Sequence, residues 1–344
     1  MVILFKGTDK SQNLAPQALA LCAGLSSTKY LKKTLVMQLT TKYPIENYLI
    51  GKKIHDQNIV QQQYTFEDTG MDSLTRRAGI TSFNKSHFAN AVIPAVSSEN
   101  LLDILEISKK NENDVEREII NNPTTIGTII KSAKKIYDNI FVLVDGKSAE
   151  LIEKIIPYID KSVTCVMQGK KEETTAPSSE DNYYLVTDYD YKSVYSASQM
   201  VTIYESKKLF TMPYNVDFKD AYTDENMLQY ILHNINPEKS DYSYHLITEM
   251  SQMVYILTEN EDVEKDEYKF TRRTFQRSIA KPIRLEEENV DVEITEKKFL
   301  KKSKTLVHVS EQPIEHKSPE PKPKKKKFAI FKSRKEKKKK DANN

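Results

Sequence analysis

The chain opens with MVILFKGTDKSQNLAPQALALCAGLSSTKY, residues 1–30. Its first apolar run, VILF at 2–5, has the length of a strand, and the polar stretch 6–13 follows it. Residues 15–30 are rich in Ala and Leu, which favours a helix. A strand, a polar loop and a helix in this order are the first unit of an α/β protein.

The loop of this unit departs from a phosphate-binding loop. That loop has the pattern GxxxxGK[ST], in which glycines let backbone N–H groups surround the phosphates and the lysine reaches the terminal ones. Here Gly7 is present, but no Gly-Lys-Ser/Thr step follows it. We therefore predict a nucleotide-binding scaffold with poor hydrolysis. The alternative is a polar connection in which Ser11 or Asn13 caps the following helix.

Strand and helix patterns alternate up to about residue 258. Strands are predicted at 34–39, 101–107, 139–144, 162–167, 183–187 and 209–212. Helices are predicted at 45–52, 71–78, 84–93, 124–137, 147–158, 192–204, 225–234 and 242–257. The run NIFVLV at 139–144 is typical of a strand buried on both faces of a parallel sheet. The fold class is therefore α/β, with a doubly wound, mostly parallel sheet.

Composition and the lack of known motifs exclude several classes of function. Cys22 and Cys165 lie in apolar runs and are predicted to be reduced core residues. The six histidines lack the spacing of metal ligands, and no nucleophile motif occurs, so no catalytic or metal residue is predicted. No run of about 18 apolar residues occurs, so no membrane span is predicted. Six tyrosines between 183 and 204 are predicted to serve packing rather than ligand stacking.

Charge is concentrated at the C-terminus. Residues 322–344 hold 12 Lys/Arg and 2 Asp/Glu, whereas the whole chain has a net charge of only +3. Residues 259–321 combine high charge with few apolar side chains and several prolines. Such segments cannot offset chain entropy by burial. We expect a folded domain at 1–258, a charged, largely disordered linker at 259–321 and a polybasic, disordered tail at 322–344.

The polybasic tail interleaves lysines with apolar side chains. Its candidate contact residues are Lys324, Lys325, Lys326, Lys327, Phe328, Ile330, Phe331, Lys332, Arg334 and Lys335. Basic residues are attracted to anionic membranes, and apolar ones add insertion energy. The same charges also release counterions from nucleic-acid phosphates. An anionic membrane, a nucleic acid and plain solvation remain open as alternatives for the tail.

Four stretches carry a resemblance to a known family. They are ILFKGTDKSQN at 3–13, TLVMQLTTKYPIENYLIG at 34–51, YDNIFVLVDGKSAELIEKIIPYIDKSVTCVMQ at 137–168 and LFTMPYNVDFKDAYTDENMLQYIL at 209–232. In order and spacing they resemble the ParA/MinD-type P-loop ATPases over residues 1–257. The chain is most similar to the divergent TadZ/CpaE-like branch found beside pilus and secretion systems.

The resemblance implies a degenerate nucleotide site. Its residues are Lys6, Gly7, Thr8, Lys10, Ser11, Gln12 and Asp145. Lys6 and Gly7 match the family's signature lysine and first glycine, and Asp145 matches its switch-II aspartate. Thr8 and Lys10 stand where the family has glycines, Ser11 where it has the phosphate lysine, and Gln12 where it has the magnesium-binding hydroxyl. Moving the alignment by one place puts Lys10 at the lysine position. ATP with Mg²⁺ is the cofactor that the resemblance implies.

The predicted function follows from this resemblance. We expect a non-catalytic or weakly nucleotide-responsive localisation or scaffold factor for a membrane-associated pilus, secretion or conjugation machine. The resemblance implies a homodimer, protein partners in that machine and a cytoplasmic location, peripheral at the inner face of the membrane where the tail binds lipid. The alternatives are an active partition-type ATPase and a nucleic-acid-binding accessory protein that acts through its tail.

Overall fold

A computed structural model describes residues 1–50, 70–77, 82–95, 101–107, 112–173 and 178–259. Its strands are β1 (Val2–Gly7), β2 (Thr34–Gln38), β3 (Ile93–Pro94), β4 (Leu102–Leu105), β5 (Asn139–Leu143), β6 (Lys161–Met167), β7 (Asn182–Tyr189) and β8 (Leu209–Pro213). They form one sheet of order β3-β4-β2-β5-β1-β6-β7-β8. β3 is antiparallel to β4, and the other neighbours are parallel. The predicted mostly parallel α/β sheet is confirmed.

Helices connect these strands. They are α1 (Ala15–Thr28), α2 (Ile45–Ile50), α3 (Gly70–Thr75), α4 (Lys85–Ala91), α5 (Glu112–Asn121), α6 (Pro123–Ala133), α7 (Ala149–Ile155), α8 (Ala197–Tyr204), α9 (Val216–Thr223), α10 (Met227–His233) and α11 (Tyr244–Thr258). A short 3₁₀ turn, Ile156–Tyr158, follows α7. The predicted loop at 57–69, the linker and the tail lie outside the described residues.

Several elements differ from the sequence-based prediction: β3 was not predicted, and the helix predicted at 192–204 begins only at Ala197. The helix predicted at 84–93 ends at Ala91 because Val92 is extended and Ile93–Pro94 pairs with β4. Pro94 also disfavours a helical conformation of the residue that precedes it. α5 was not predicted, and neither was α9. α9 begins because the Asn215 side chain accepts a hydrogen bond from the Phe218 N–H at 2.8 Å.

The sheet is buried on both faces. Ile3 and Phe5 of β1 pack in one core cluster with α1, whereas Val2 and Leu4 pack in a second cluster on the opposite face. This alternation places α1 against the centre of the sheet. No helix of the described part of the chain has the length and apolar character needed to cross a bilayer.

The two cysteines lie inside this core, as predicted. Cys22 and Cys165 are free thiols that are fully buried. Burial raises the pKa of both thiols, because the thiolate would lose its hydration. They therefore pack as small apolar residues rather than act as nucleophiles.

The connection from β6 to β7 is irregular where the structure describes it. Residues 168–181, of which 174–177 lie outside the description, are called the crossover segment below. The Ser179 N–H and hydroxyl lie 3.1 and 3.0 Å from the Ser162 hydroxyl oxygen. Because Ser162 is in register with Leu4, the crossover segment returns along the face of the sheet that carries Leu4. It brings polar groups close to β1.

Candidate functional site

The candidate site lies where β1 and β5 end. β1 sits between β5 and β6 in the sheet, and the chain leaves β1 towards β2 on one side and leaves β5 for β6 on the other. Such a switch in direction opens a crevice outside the carboxyl ends of parallel strands, where ligands bind in this class of fold. Gly7 closes β1 and Asp145 follows β5, so the sheet brings the two predicted halves of the site to one edge.

Two glycines close the crevice at its base. A Cβ atom on Gly146 would lie 2.0 Å from the Gly7 carbonyl oxygen. A Cβ on Gly7 would lie 2.5 Å from the Gln12 Cα. Atoms this close cannot coexist, so both positions require glycine for space. The backbones after β1 and β5 therefore touch each other directly.

Several donors of the loop that follows β1 are engaged in bonds within it or with β6. The Thr8 N–H donates to the Ser11 hydroxyl oxygen at 2.8 Å, and that hydroxyl donates to the Cys165 carbonyl at 2.5 Å. The Ser11 N–H donates to the Thr8 carbonyl and the Leu14 N–H to the Ser11 carbonyl. A phosphate-binding loop needs such N–H groups aimed at the ligand. Here they are already engaged inside the loop.

The same contacts show whether Ser11 caps the helix that follows the loop. α1 begins at Ala15, and the residue before it is Leu14, which makes no side-chain capping bond. The Ser11 hydroxyl is held by Thr8 and Cys165 instead. The prediction of Ser11 as the cap of α1 is therefore wrong, because its side chain turns inward beneath the loop.

A carboxylate from the crossover segment reaches the loop. Glu172 is buried and accepts a hydrogen bond from the Thr8 hydroxyl. Its backbone N–H donates to the Tyr204 hydroxyl oxygen at 3.2 Å, which holds the segment against α8. The Glu172 carboxylate thus faces a loop that binds anionic phosphates in related folds. A second anion brought to this place would be repelled.

Lys6 points away from the exposed part of the loop. Its side chain is 1% exposed, and Nζ donates to the Ser178 hydroxyl at 2.8 Å. Burial lowers the pKa of the Lys6 ammonium to about 8, because the charged form loses hydration. Lys6 therefore anchors the crossover segment on the face of the sheet.

Asp145 lies at the carboxyl end of β5 and is nearly buried. It forms an ion pair with Lys42, which follows β2. It also accepts a hydrogen bond from the Lys147 N–H at 3.1 Å. A cation that bound this carboxylate would compete with Lys42.

The remaining loop residues lie at the surface. Lys10 is exposed beside Asp9. Gln12 is half-buried, and its amide nitrogen lies 3.5 Å from a carboxylate oxygen of Asp9. Asp9 also pairs with Lys147 across the mouth of the crevice at 3.7 Å. These exposed pairs are screened by water and contribute little stability.

The arrangement does not fit ATP with Mg²⁺ in this conformation. Three backbone donors of the loop are engaged, a carboxylate lies against Thr8, and Asp145 is paired with Lys42. Among the described residues, no group of three or more His, Cys, Asp or Glu side chains could hold a metal ion. The loop would have to open before nucleotide could bind.

Sequence reasoning missed Glu172, Ser178 and Lys42. The first two belong to a polar segment without a motif, 164 and 172 residues after the loop residues that they contact. Lys42 meets Asp145 only because β2 and β5 are neighbours in the sheet. No local pattern marks such pairs. The candidate tail residues, between Lys324 and Lys335, lie outside the described residues.

Solved structures share this fold. The chain is similar to a ParA family ATPase from Chlorobium tepidum TLS, at 12% identity with a TM-score of 0.52 over 74% of this chain and 98% of that one. It is also similar to the cell division ATPase MinD of Pyrococcus furiosus, at 9% identity with a TM-score of 0.50 over 74% and 98%. The apo McdA structure from Cyanthece matches at 9% identity and a TM-score of 0.50, over 74% and 99%. No protein-family model matches the chain, and no curated protein matches its sequence. The chain thus has the fold of the ParA/MinD ATPases.

Proposed function

We propose that this chain is a non-catalytic or weakly nucleotide-responsive localisation factor for a membrane-associated pilus, secretion or conjugation machine. The observation that carries the proposal is the bonding of Thr8 to Ser11 within the loop, with the Glu172 carboxylate against Thr8. The fold is shared by a ParA family ATPase and a cell division ATPase. In this chain the fold serves as a scaffold for protein contacts.

The loop residues support the non-catalytic part of the proposal. Phosphoryl transfer depends on a lysine at the phosphates and on a metal ion held beside them. Ser11 and Gln12 stand at the corresponding positions, and the Ser11 hydroxyl is committed to Cys165. The nearest predicted substitute, Lys10, lies exposed beside Asp9. Electrostatic stabilisation of the transferred group is the main catalytic contribution. This loop lacks the lysine and the metal-binding hydroxyl that would provide it.

The polybasic tail supports the membrane part. Its lysines would be attracted to anionic lipid, and Phe328, Ile330 and Phe331 would enter the interface. Attraction by charge alone is lost as salt screens it over a Debye length of about 8 Å at physiological ionic strength. Apolar insertion leaves binding that resists salt.

Co-sedimentation of the full chain with vesicles containing anionic lipid tests this part. The variant replaces Phe328, Ile330 and Phe331 with Ala. The matched control replaces three apolar linker residues, Leu306, Val307 and Val309, with Ala. We expect the tail variant to lose the salt-resistant fraction and the control to retain it. Equal binding of both at every salt concentration would make the apolar residues irrelevant. Binding to DNA without binding to vesicles would favour the nucleic-acid alternative.

We also propose that two copies pair through the face that bears the loop at 6–13. The support is the family resemblance. Because the loop is closed without ligand, pairing should not depend on nucleotide. Light scattering should give the mass of a dimer both with and without ATP. A monomer at high protein concentration in both buffers would contradict pairing.

A further inference from the structure

A group of apolar side chains lies exposed near the ends of β7 and β8 and the start of α11. It consists of Tyr191, Val194, Tyr214, Val216 and Tyr242, with exposed fractions of 55, 79, 52, 42 and 61%. We call this group the tyrosine surface. Its residues follow β7, follow β8 and precede α11. Clusters of exposed apolar side chains mark interaction sites in soluble proteins.

Backbone and side-chain contacts tie together the segments that carry these residues. The Tyr214 N–H donates to the Tyr189 carbonyl at 3.0 Å, which ties the end of β8 to the end of β7. The Asn215 amide donates to the Tyr242 carbonyl at 3.1 Å. The ring of Tyr191 packs edge-on against Tyr189, with centroids 5.0 Å apart. The three segments are therefore held in fixed positions.

One tyrosine is also fixed through its hydroxyl. The Tyr191 hydroxyl donates to Glu249 of α11, and its ring lies 5.7 Å from that of His245. A tyrosine that is half exposed yet held at both ends loses little conformational entropy when a partner binds. This pre-organisation distinguishes the tyrosine surface from scattered exposed apolar residues, which are normal on any protein.

The surface carries negative charge. The segments 188–196, 213–220 and 235–245 that form it contain six Asp/Glu and three Lys. One of the lysines, Lys219, is paired with Asp188 at 2.7 Å. Asp190, Asp217 and Asp241 are exposed. Exposed tyrosine rings among carboxylates attract cations both by their faces and by charge.

We propose that the tyrosine surface is a docking site for a basic, extended segment of a partner protein, rich in arginine. Arginine side chains stack on tyrosine rings and pair with carboxylates at once, which matches both features of the surface. The same charge disfavours nucleic acid and anionic lipid at this place. The surface and the polybasic tail would thus select partners of opposite charge.

Fluorescence anisotropy with the full chain tests this proposal. The probe is a labelled nine-residue peptide of alternating Arg and Gly, and the comparison probe replaces Arg with Glu. The variant changes Tyr191, Tyr214 and Tyr242 to Ser. The matched control is Leu232→Ser, which alters a 50% exposed apolar residue of α10. We expect the triple variant to weaken binding of the Arg peptide at least tenfold and the control to leave it unchanged.

A second variant keeps the test valid if the triple variant does not fold. Asp190→Asn with Asp217→Asn alters only exposed carboxylates, and we expect it to weaken binding several-fold and to reduce its dependence on salt. Unchanged binding in either folded variant would overturn the proposal. So would equal binding of the Glu peptide, or a self-association that the triple variant abolishes, since a second copy would then be the occupant.

Discussion

Gly146 packs against the carbonyl oxygen of Gly7, so closely that a Cβ at position 146 would lie 2.0 Å from that oxygen. This contact joins the ends of the two central strands, β1 and β5. It also sets the floor of the crevice in which related folds bind ligands. In this chain the strand ends are packed together, and the loop above them bonds to itself.

Substitution of Gly146 tests this packing. Gly146→Ala should lower the free energy of unfolding by about 3 kcal/mol, because backbone cannot move as a side chain can. The control is Gly24→Ala in α1, where the added Cβ would meet the flexible end of Ile231 and where alanine gains helix propensity. Urea denaturation measures both. An equal loss in the two variants would show that the Gly7 contact has no special rigidity.

Glu172 offers a test of charge at the loop. Glu172→Gln keeps the size of the side chain and removes the charge beside Thr8. We expect the affinity for a fluorescent ATP analogue to rise at least tenfold, or about 1.4 kcal/mol. Glu173→Gln removes an exposed charge one residue away and should leave the affinity unchanged. Equal effects of the two substitutions would mean that only net charge matters.

Lys6 predicts a pH dependence of stability. Because burial lowers the pKa of Lys6 to about 8, the unfolded chain holds an extra proton between about pH 8 and its ordinary pKa of about 10.4. The free energy of unfolding should therefore rise across this window, by about 3 kcal/mol in total. Lys6→Met should flatten this rise, whereas Lys10→Met, at an exposed residue of the same loop, should not. Parallel curves for Lys6→Met and the parent chain would contradict the assignment.

Asn215 predicts a local effect on stability. Its side chain caps α9 through the Phe218 N–H and binds the Tyr242 carbonyl. Asn215→Ala should cost about 2 kcal/mol of unfolding free energy, since it removes the cap, the partly buried bond to Tyr242 and the bond from the Tyr230 hydroxyl. Asn226 precedes α10 but makes no capping bond, so Asn226→Ala should cost much less. Similar losses would show that the Asn215 bonds contribute little.

The fold was predictable because its signals are local. Apolar runs such as 139–144 and the Ala/Leu-rich α1 mark buried elements by composition and period. α9 was missed because its start depends on the bonds of one side chain, Asn215. That Gly7 and Asp145 lie at one edge follows from the strand order, which the sequence did not reveal.

The state of the site was not predictable to the same degree. The sequence shows that loop glycines are missing, but not that the Ser11 hydroxyl turns inward or that Glu172 lies against Thr8. These contacts join segments far apart in the chain and leave no periodic pattern. The tyrosines between 183 and 204 also show that the sequence pattern does not reveal which side chains are exposed. The sequence predicted packing for all of them but not which are buried: Tyr183, Tyr189 and Tyr204 are, whereas Tyr191 is exposed.

The central proposal is that the loop at 6–13 does not perform phosphoryl transfer. Its most direct test is the rate of Mg²⁺-dependent ATP hydrolysis by the purified full chain, measured beside Asp145→Ala and Lys10→Ala prepared in the same way. We predict that all three proteins release phosphate at the rate of the buffer control. Turnover in the parent chain that either substitution abolishes would contradict the account and establish an active ATPase.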